Sequence, residues 1–164
     1  MNSDAIEKLY VAYSRQVYFY TLSLCGNSHL TEDIMQEAFV KAMLSLEASE
    51  GNLKAWLFKV CRNLWIDYLR KNAKLSEMEL ENLQLEDSAL NLIDGIIKNE
   101  EAKNLYKKMI SLPSNLREVL ILHYYLELPQ SRIAEILNIS NGAVRTLLYR
   151  ARIRLKTVIK EDKP

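Results

Sequence analysis

The sequence predicts an all-α protein: two small helical domains joined by an acidic linker, the C-terminal one a helix-turn-helix. Three observations predict it. Gly and Pro are scarce, four and three in 164 residues, so little interrupts helix. Apolar residues recur three and four apart through most of the chain, the period of a helix rather than a strand. Residues 129–156 read PQSRIAEILNISNGAVRTLLYRARIRLK, with apolar positions where two short helices crossing steeply must touch.

Residues 4–24 carry Ile6, Leu9, Tyr10, Tyr13, Val17, Tyr20 and Leu24 in helical register, opened by Asp4 and Glu7 as a capping pair. Gly26, Asn27 and Ser28 stop that helix and offer caps for the next. Residues 30–46 repeat the pattern with Leu30, Ile34, Ala38, Phe39, Ala42, Met43 and Leu46. Residues 49–52 form a loop, and residues 53–71 a third helix rich in aromatics. From 73 to about 97 the pattern weakens, which reads as a tether with partial helical tendency rather than a packed element. Residues 100–111 open a second helical unit. Leu112-Pro113-Ser114 ends that helix, and residues 116–126 follow with Val119, Leu120, Leu122 and Tyr125 in register. The expected organisation is a domain at 1–73, a linker at 74–98 and a domain at 99–164. Each domain buries only about 60% of its unfolded surface, so docking on a larger partner would add stability.

In the helix-turn-helix, Ile133, Ala134 and Leu137 form the inner face of the first helix. Ile139 plugs the turn, and Val144, Leu147 and Leu148 line the second helix. The turn needs a residue that tolerates left-handed backbone, and Asn138 stands there. Ser140 is a credible N-cap. Ser140, Asn141, Ala143, Arg145, Thr146 and Arg150 are left pointing outward. A helix so presented fits the major groove of DNA. The competing reading is a plain helical corner. Against it stand Arg145, Arg150, Arg152, Arg154 and Lys156, with no acid before Glu161.

Net charge is only +1, but its distribution is uneven. Residues 1–73 hold eight basic and eight acidic side chains; residues 74–102 hold two against eight; residues 103–164 hold twelve against five. An acidic connector followed by a module of net +7 suits nucleic-acid binding at the C-terminal end. In the third helix, Trp56, Phe58, Trp65 and Tyr68 interleave with Lys59, Arg62, Asn63, Arg70 and Lys71. Rings beside cations suit single-stranded nucleic acid, since bases stack while cations follow phosphates. Leu57, Val60, Leu64 and either Trp56 or Tyr68 must face the core. Trp65, Arg62, Asn63 and Arg70 are placed outward, with Asp67 orienting Arg70 or Arg62.

Other functions find less support. Cys25 and Cys61 lack metal-ligand spacing and read as buried thiols. His29 and His123 have no nucleophile or carboxylate at catalytic spacing, and there is no Gly-rich phosphate loop. No enzyme, metal site or cofactor is expected. No apolar run is long enough to span a membrane, and the N-terminus lacks the regions of a signal peptide, so a cytoplasmic location is expected.

Two separated segments now share a resemblance. The first holds Glu32-Asp33-Ile34-Met35-Gln36-Glu37-Ala38-Phe39-Val40-Lys41-Ala42, then Lys54-Ala55-Trp56-Leu57-Phe58-Lys59-Val60-Cys61-Arg62-Asn63 and Ile66-Asp67-Tyr68-Leu69-Arg70-Lys71. The second holds Leu112-Pro113, Arg117-Glu118-Val119, Ile133-Ala134-Glu135-Ile136-Leu137, Ser140, Val144 and Tyr149-Arg150-Ala151-Arg152. Together they resemble the extracytoplasmic-function (ECF) sigma factors, the minimal two-domain members of the sigma-70 family.

The resemblance implies a subunit that binds core RNA polymerase and directs promoter-specific initiation. Its first domain would dock on the polymerase clamp and hold the melted −10 strand; its second would read the duplex −35 element. Asp33, Gln36, Glu37 and Lys41 share an outward stripe if Ile34, Ala38 and Ala42 are buried. Any solvated helix face looks the same, and it is the resemblance that assigns this one to core polymerase. For −10 DNA it implies Asn52, in the loop that captures a flipped base, with Lys59, Arg62, Asn63, Trp65, Arg70 and Lys71. For −35 DNA it implies Arg117, Gln130 and Ser131 on phosphates. Ser140, Asn141, Arg145, Thr146 and Arg150 belong to the recognition helix, with Arg145 the guanine-contact candidate. The acidic linker would lie near the active-site channel, and an anti-sigma factor is an expected partner. Three departures stand out: Cys61 where alanine is common, Asn138 for the turn glycine, and Pro129-Gln130-Ser131-Arg132 for a stretch that usually carries an acid. The alternatives are a stand-alone helix-turn-helix regulator, which would need a ligand pocket or dimer helix, and a helical protein adaptor, which the basic C-terminal third disfavours.

Overall fold

The computed structural model describes residues 3–45, 53–72 and 87–161, and among them the secondary structure is helix, with no strand. The chain divides into two compact units, residues 1–74 and 75–164. Asn52 and the rest of the 49–52 loop, Leu46, and most of the acidic connector lie outside the described residues.

The N-terminal unit holds three helices, α1 (Ser3–Cys25), α2 (Ser28–Leu44) and α3 (Leu53–Lys71), each packed on the other two. Its core takes Leu9, Val17, Tyr20 and Leu24 from α1, Ile34, Ala38 and Ala42 from α2, and Phe58 and Cys61 from α3. Tyr20 and Phe58 meet edge to face, 5.4 Å between centroids, the arrangement ring quadrupoles favour. Gly26, at φ 69°, ends α1 in the left-handed region a side chain would resist. Asn27 then caps α2, its Oδ1 accepting from the Leu30 N–H at 2.9 Å. Both cysteines are free and buried. Burial pushes the Cys61 thiol up to about 12, so it stays protonated and unreactive. Tyr10 and Met43, expected within the apolar register, are exposed, though the Tyr10 ring leans on Phe39 at 5.1 Å.

The C-terminal unit holds α4 (Asp87–Ile96), α5 (Glu100–Ile110), α6 (Ser114–Leu120), α7 (Gln130–Leu137) and α8 (Asn141–Glu161). A π-helical turn, Ile121–Tyr125, extends α6. Helix α8 is the spine, with α5, α6 and α7 packed on it.

Helix α4 corrects the reading of an unpacked tether. Ala89 and Ile93 are fully buried and Ile97 nearly so. The stripe is one residue wide at four-residue spacing, and the acids and amides between make the segment look like linker. Asp94 pins α4 to α5 through Lys107 Nζ at 2.8 Å and Lys103 Nζ at 3.7 Å. The hydrogen bond from Lys107 holds the Asp94 carboxyl below its ordinary range.

Candidate nucleic-acid interface and partner surface

The turn between α7 and α8 is built as its residues require. Asn138 sits at φ 55°, ψ 47°, the left-handed cap of α7. Ser140 Oγ accepts from the Ala143 N–H at 3.1 Å, capping α8. Ile133, Ala134, Leu137, Val144 and Leu148 are buried, while Leu147 and Ile139 are half-buried. Ser140, Asn141, Arg145, Thr146 and Arg150 all lie exposed on or just before the first turns of α8, with Ser131 exposed and Gln130 half-buried at the start of α7. Around α8 Asn141 and Arg145 share one face, while Thr146 and Arg150 turn toward the flank; a capped helix N-terminus with an exposed arginine suits a duplex groove lined by phosphates.

Arg117 does not belong to that surface. It is only 2% exposed, and its Nη1–H donates to the Ile110 carbonyl at 3.1 Å. The physical reason is the end of α5. The Lys107, Lys108 and Met109 carbonyls accept from the Ser111 and Leu112 N–H groups, whereas that of Ile110, the last residue of α5, stands at the negative end of the helix dipole. A buried guanidinium supplies both donors and charge there. A side chain so held cannot also reach a phosphate.

On α3 the structure corrects a second assignment. Trp65, expected outward, is 8% exposed. The helix is apolar on two overlapping stripes, 57/60/64/68 and 58/61/65. The stripe bearing Phe58 and Trp65 wins the core, because those rings bury the most area; Leu57 is buried beside it, while Val60 and Leu64 are half-buried. Lys59, Asn63, Ile66 and Arg70 then share one exposed stripe with four- and three-residue spacing, with Arg62 half-buried beside it and Lys71 exposed at the end. The exposed ring of α3 is Tyr68, 40% accessible, stacked on Trp65 at 5.8 Å and 14° between planes. Asp67 pairs with Arg70, an exposed bridge that fixes direction more than it adds stability.

On α2, Ile34, Ala38 and Ala42 are buried, and Asp33, Gln36, Glu37 and Lys41 form the exposed polar stripe. Glu32 and Gln36 also border an open, mostly apolar groove of about 570 Å³ lined by Tyr10, Tyr18, Met35, Phe39 and Val40. A polar ridge beside an apolar groove is a surface that fits another protein's helices. Among the described residues no His, Cys, Asp and Glu group could hold a metal ion, and no helix is long and apolar enough to cross a membrane.

Each unit has counterparts among known proteins. Residues 9–75 match the model of sigma-70 region 2, and residues 102–155 that of sigma-70 region 4. The chain is 35% identical over 155 residues to the ECF RNA polymerase sigma factor SigM of Bacillus subtilis, covering 93% of this chain and 94% of that protein. It is 30% identical over 171 residues to SigW of the same organism, covering 98% and 91%. Among solved structures it is similar to the sigma factor RpoE of Bartonella quintana, crystallised with the anti-sigma factor NepR. The TM-score is 0.69 at 22% identity, covering 96% of this chain and 98% of that one. It is also similar to CnrH in complex with the cytosolic domain of CnrY, with a TM-score of 0.70 at 21% identity, covering 99% and 92%. Two matched regions in order, covering most of the chain, place it in a family: it belongs to the extracytoplasmic-function sigma factors, sigma-70 subunits that bind core RNA polymerase and direct it to promoters.

Proposed function

We propose a division of labour within this sigma factor. The Asp33–Gln36–Glu37–Lys41 stripe of α2 binds core polymerase. The exposed face of α3, with Lys59, Arg62, Asn63, Tyr68, Arg70 and Lys71, holds the melted −10 strand, together with Asn52, which precedes α3 in the sequence. The N-terminal turns of α8, with Ser140, Asn141, Arg145, Thr146 and Arg150, read the −35 duplex, and Gln130 and Ser131 hold phosphates. The observation that carries the reading is the capped, outward-facing N-terminus of α8 with Arg145 exposed on it. The protein works in the cytoplasm as a non-catalytic subunit. A separate anti-sigma protein silences it by covering the α2 stripe, the Arg145 face or both; the RpoE and CnrH structures, each solved with a second protein, support that partner.

Two experiments test these surfaces. Asp33→Ala combined with Gln36→Ala removes only exposed groups. It is expected to raise the Kd for core polymerase by about tenfold while the melting temperature holds. An unchanged Kd removes the assignment of this face. Arg145→Ala is expected to relax preference at one upstream base pair by about 1–3 kcal/mol and leave the others intact. Binding measured over a set of −35 variants reads this directly, and an unaltered preference at every position means the recognition face is wrong.

A further inference from the structure

We infer that Tyr124 and Arg152 form a two-residue phosphate clamp beside the recognition surface, with Tyr124 the positioning residue and Arg152 the contact. The inference rests on the reading of α8 as the −35 helix and extends it past the N-terminal turns.

Arg152 lies seven residues beyond Arg145. At about 100° per residue, Asn141, Arg145, Arg152 and Lys156 fall within roughly 60° of one another around α8. All four are exposed. At 1.5 Å per residue, Arg152 stands about 10 Å further along the axis than Arg145. The major groove is about 12 Å wide. If Arg145 reaches a base edge, a group so far along the helix meets the phosphate wall instead.

Arg152 is not left to wander. Its Nε–H donates to the Tyr124 hydroxyl, and its guanidinium carbon lies 5.6 Å from the centre of the Tyr124 ring. Tyr124 is itself held. It sits in the π-helical turn, where the wider winding, closed by the Leu126 N–H on the Ile121 carbonyl at 2.9 Å, shifts the register of the side chains. The His123 ring packs edge-on against it at 4.7 Å and 82°. Yet Tyr124 remains 48% exposed. The pair is therefore fixed within the C-terminal unit and open to solvent.

Donor accounting gives the ligand class. A guanidinium has five N–H donors and no acceptor. One is spent on Tyr124, and the two Nη groups keep four. The Tyr124 hydroxyl accepts the Nε–H bond and keeps its own O–H to give. The exposed donors call for an oxyanion, and a DNA phosphate is the one this surface meets. Fixing Arg152 in advance lowers the ordering cost of that contact. Because a phosphate carries no base identity, the clamp adds affinity and register without sequence preference.

The test uses the full chain assembled with core polymerase, titrated against promoter duplex between about 50 and 200 mM salt. Arg152→Ala is expected to weaken binding about tenfold at every −35 sequence and to cut the slope of log K against log salt by about one. Tyr124→Phe keeps the ring and its packing but loses the hydroxyl; it is expected to cost about threefold, with no change in melting temperature. The double variant is expected to bind no worse than Arg152→Ala alone, since the two act as a unit. Wild-type affinity and slope in Tyr124→Phe, or fully additive losses, would overturn the clamp. So would a lower melting temperature with an unchanged salt slope, which makes the pair a structural brace. Arg145→Ala, run in parallel, separates the two readings. If it shifts base preference while the clamp variants do nothing, only the clamp fails; if it too does nothing, the −35 reading fails with it.

Discussion

Trp65→Ala is expected to destabilise the N-terminal unit by about 3–5 kcal/mol, the cost of truncating a large core aromatic. Trp65 is almost fully buried and shares the core stripe of α3 with Phe58 and Cys61. Its removal takes away transfer energy, leaves a cavity and strips the support from Tyr68, which stacks on it. Thermal or urea unfolding of the full chain measures this. Tyr68→Ala is the informative contrast. Tyr68 is exposed, so stability should fall by less than about 1 kcal/mol, while open-complex formation on duplex promoter drops. A template already melted across the −10 element should recover part of that loss, because base flipping is cheapest where the strand is unpaired. A Trp65→Ala variant of wild-type stability that fails only in promoter opening would return Trp65 to the DNA face.

Arg117→Ala is expected to cost the C-terminal unit about 2–4 kcal/mol. The substitution leaves the Ile110 carbonyl without its buried donor and opens a void the size of a long side chain. It also withdraws a positive charge from the end of α5, where the helix dipole favours one. Arg117→Lys should recover only part of the loss, because a lysine lacks the planar fork and its geometry. Denaturation reads the effect directly. If Arg117→Ala instead left stability alone and reduced only promoter affinity with a shallower salt slope, Arg117 would be a phosphate contact after all.

These residues mark where sequence stops being informative. The helix-turn-helix was legible because its constraints are local. A left-handed turn residue, an N-cap and two short apolar stripes lie within 28 residues, and Asn138 and Ser140 meet them as the spacing implies. The outward stripe of α2 was legible too, since burying Ile34, Ala38 and Ala42 leaves Asp33, Gln36, Glu37 and Lys41 no other side. Helix α3 was not, because apolar residues on two overlapping faces let the pattern fit either phase, and only packing against α1 and α2 chooses. Arg117 reads as one more surface cation, because its partner is a backbone carbonyl, which every residue carries. Helix α4 hides a one-residue-wide stripe among acids. The Tyr124–Arg152 pair depends on a π-helical turn and on side chains 28 positions apart, and neither has a local signature.

The measurement closest to the central claim is transcription by the reconstituted holoenzyme from a randomised promoter library, with the 5′ ends of the products sequenced. The wild-type chain is predicted to give starts downstream of one shared pair of upstream motifs. Arg145→Ala should loosen a single position of the distal motif, Tyr68→Ala should lower yield on duplex but less on pre-melted templates, and the Asp33→Ala, Gln36→Ala double variant should lower yield at every promoter alike. Starts indistinguishable from those of core polymerase alone, or motif preferences untouched by Arg145→Ala, would contradict the account.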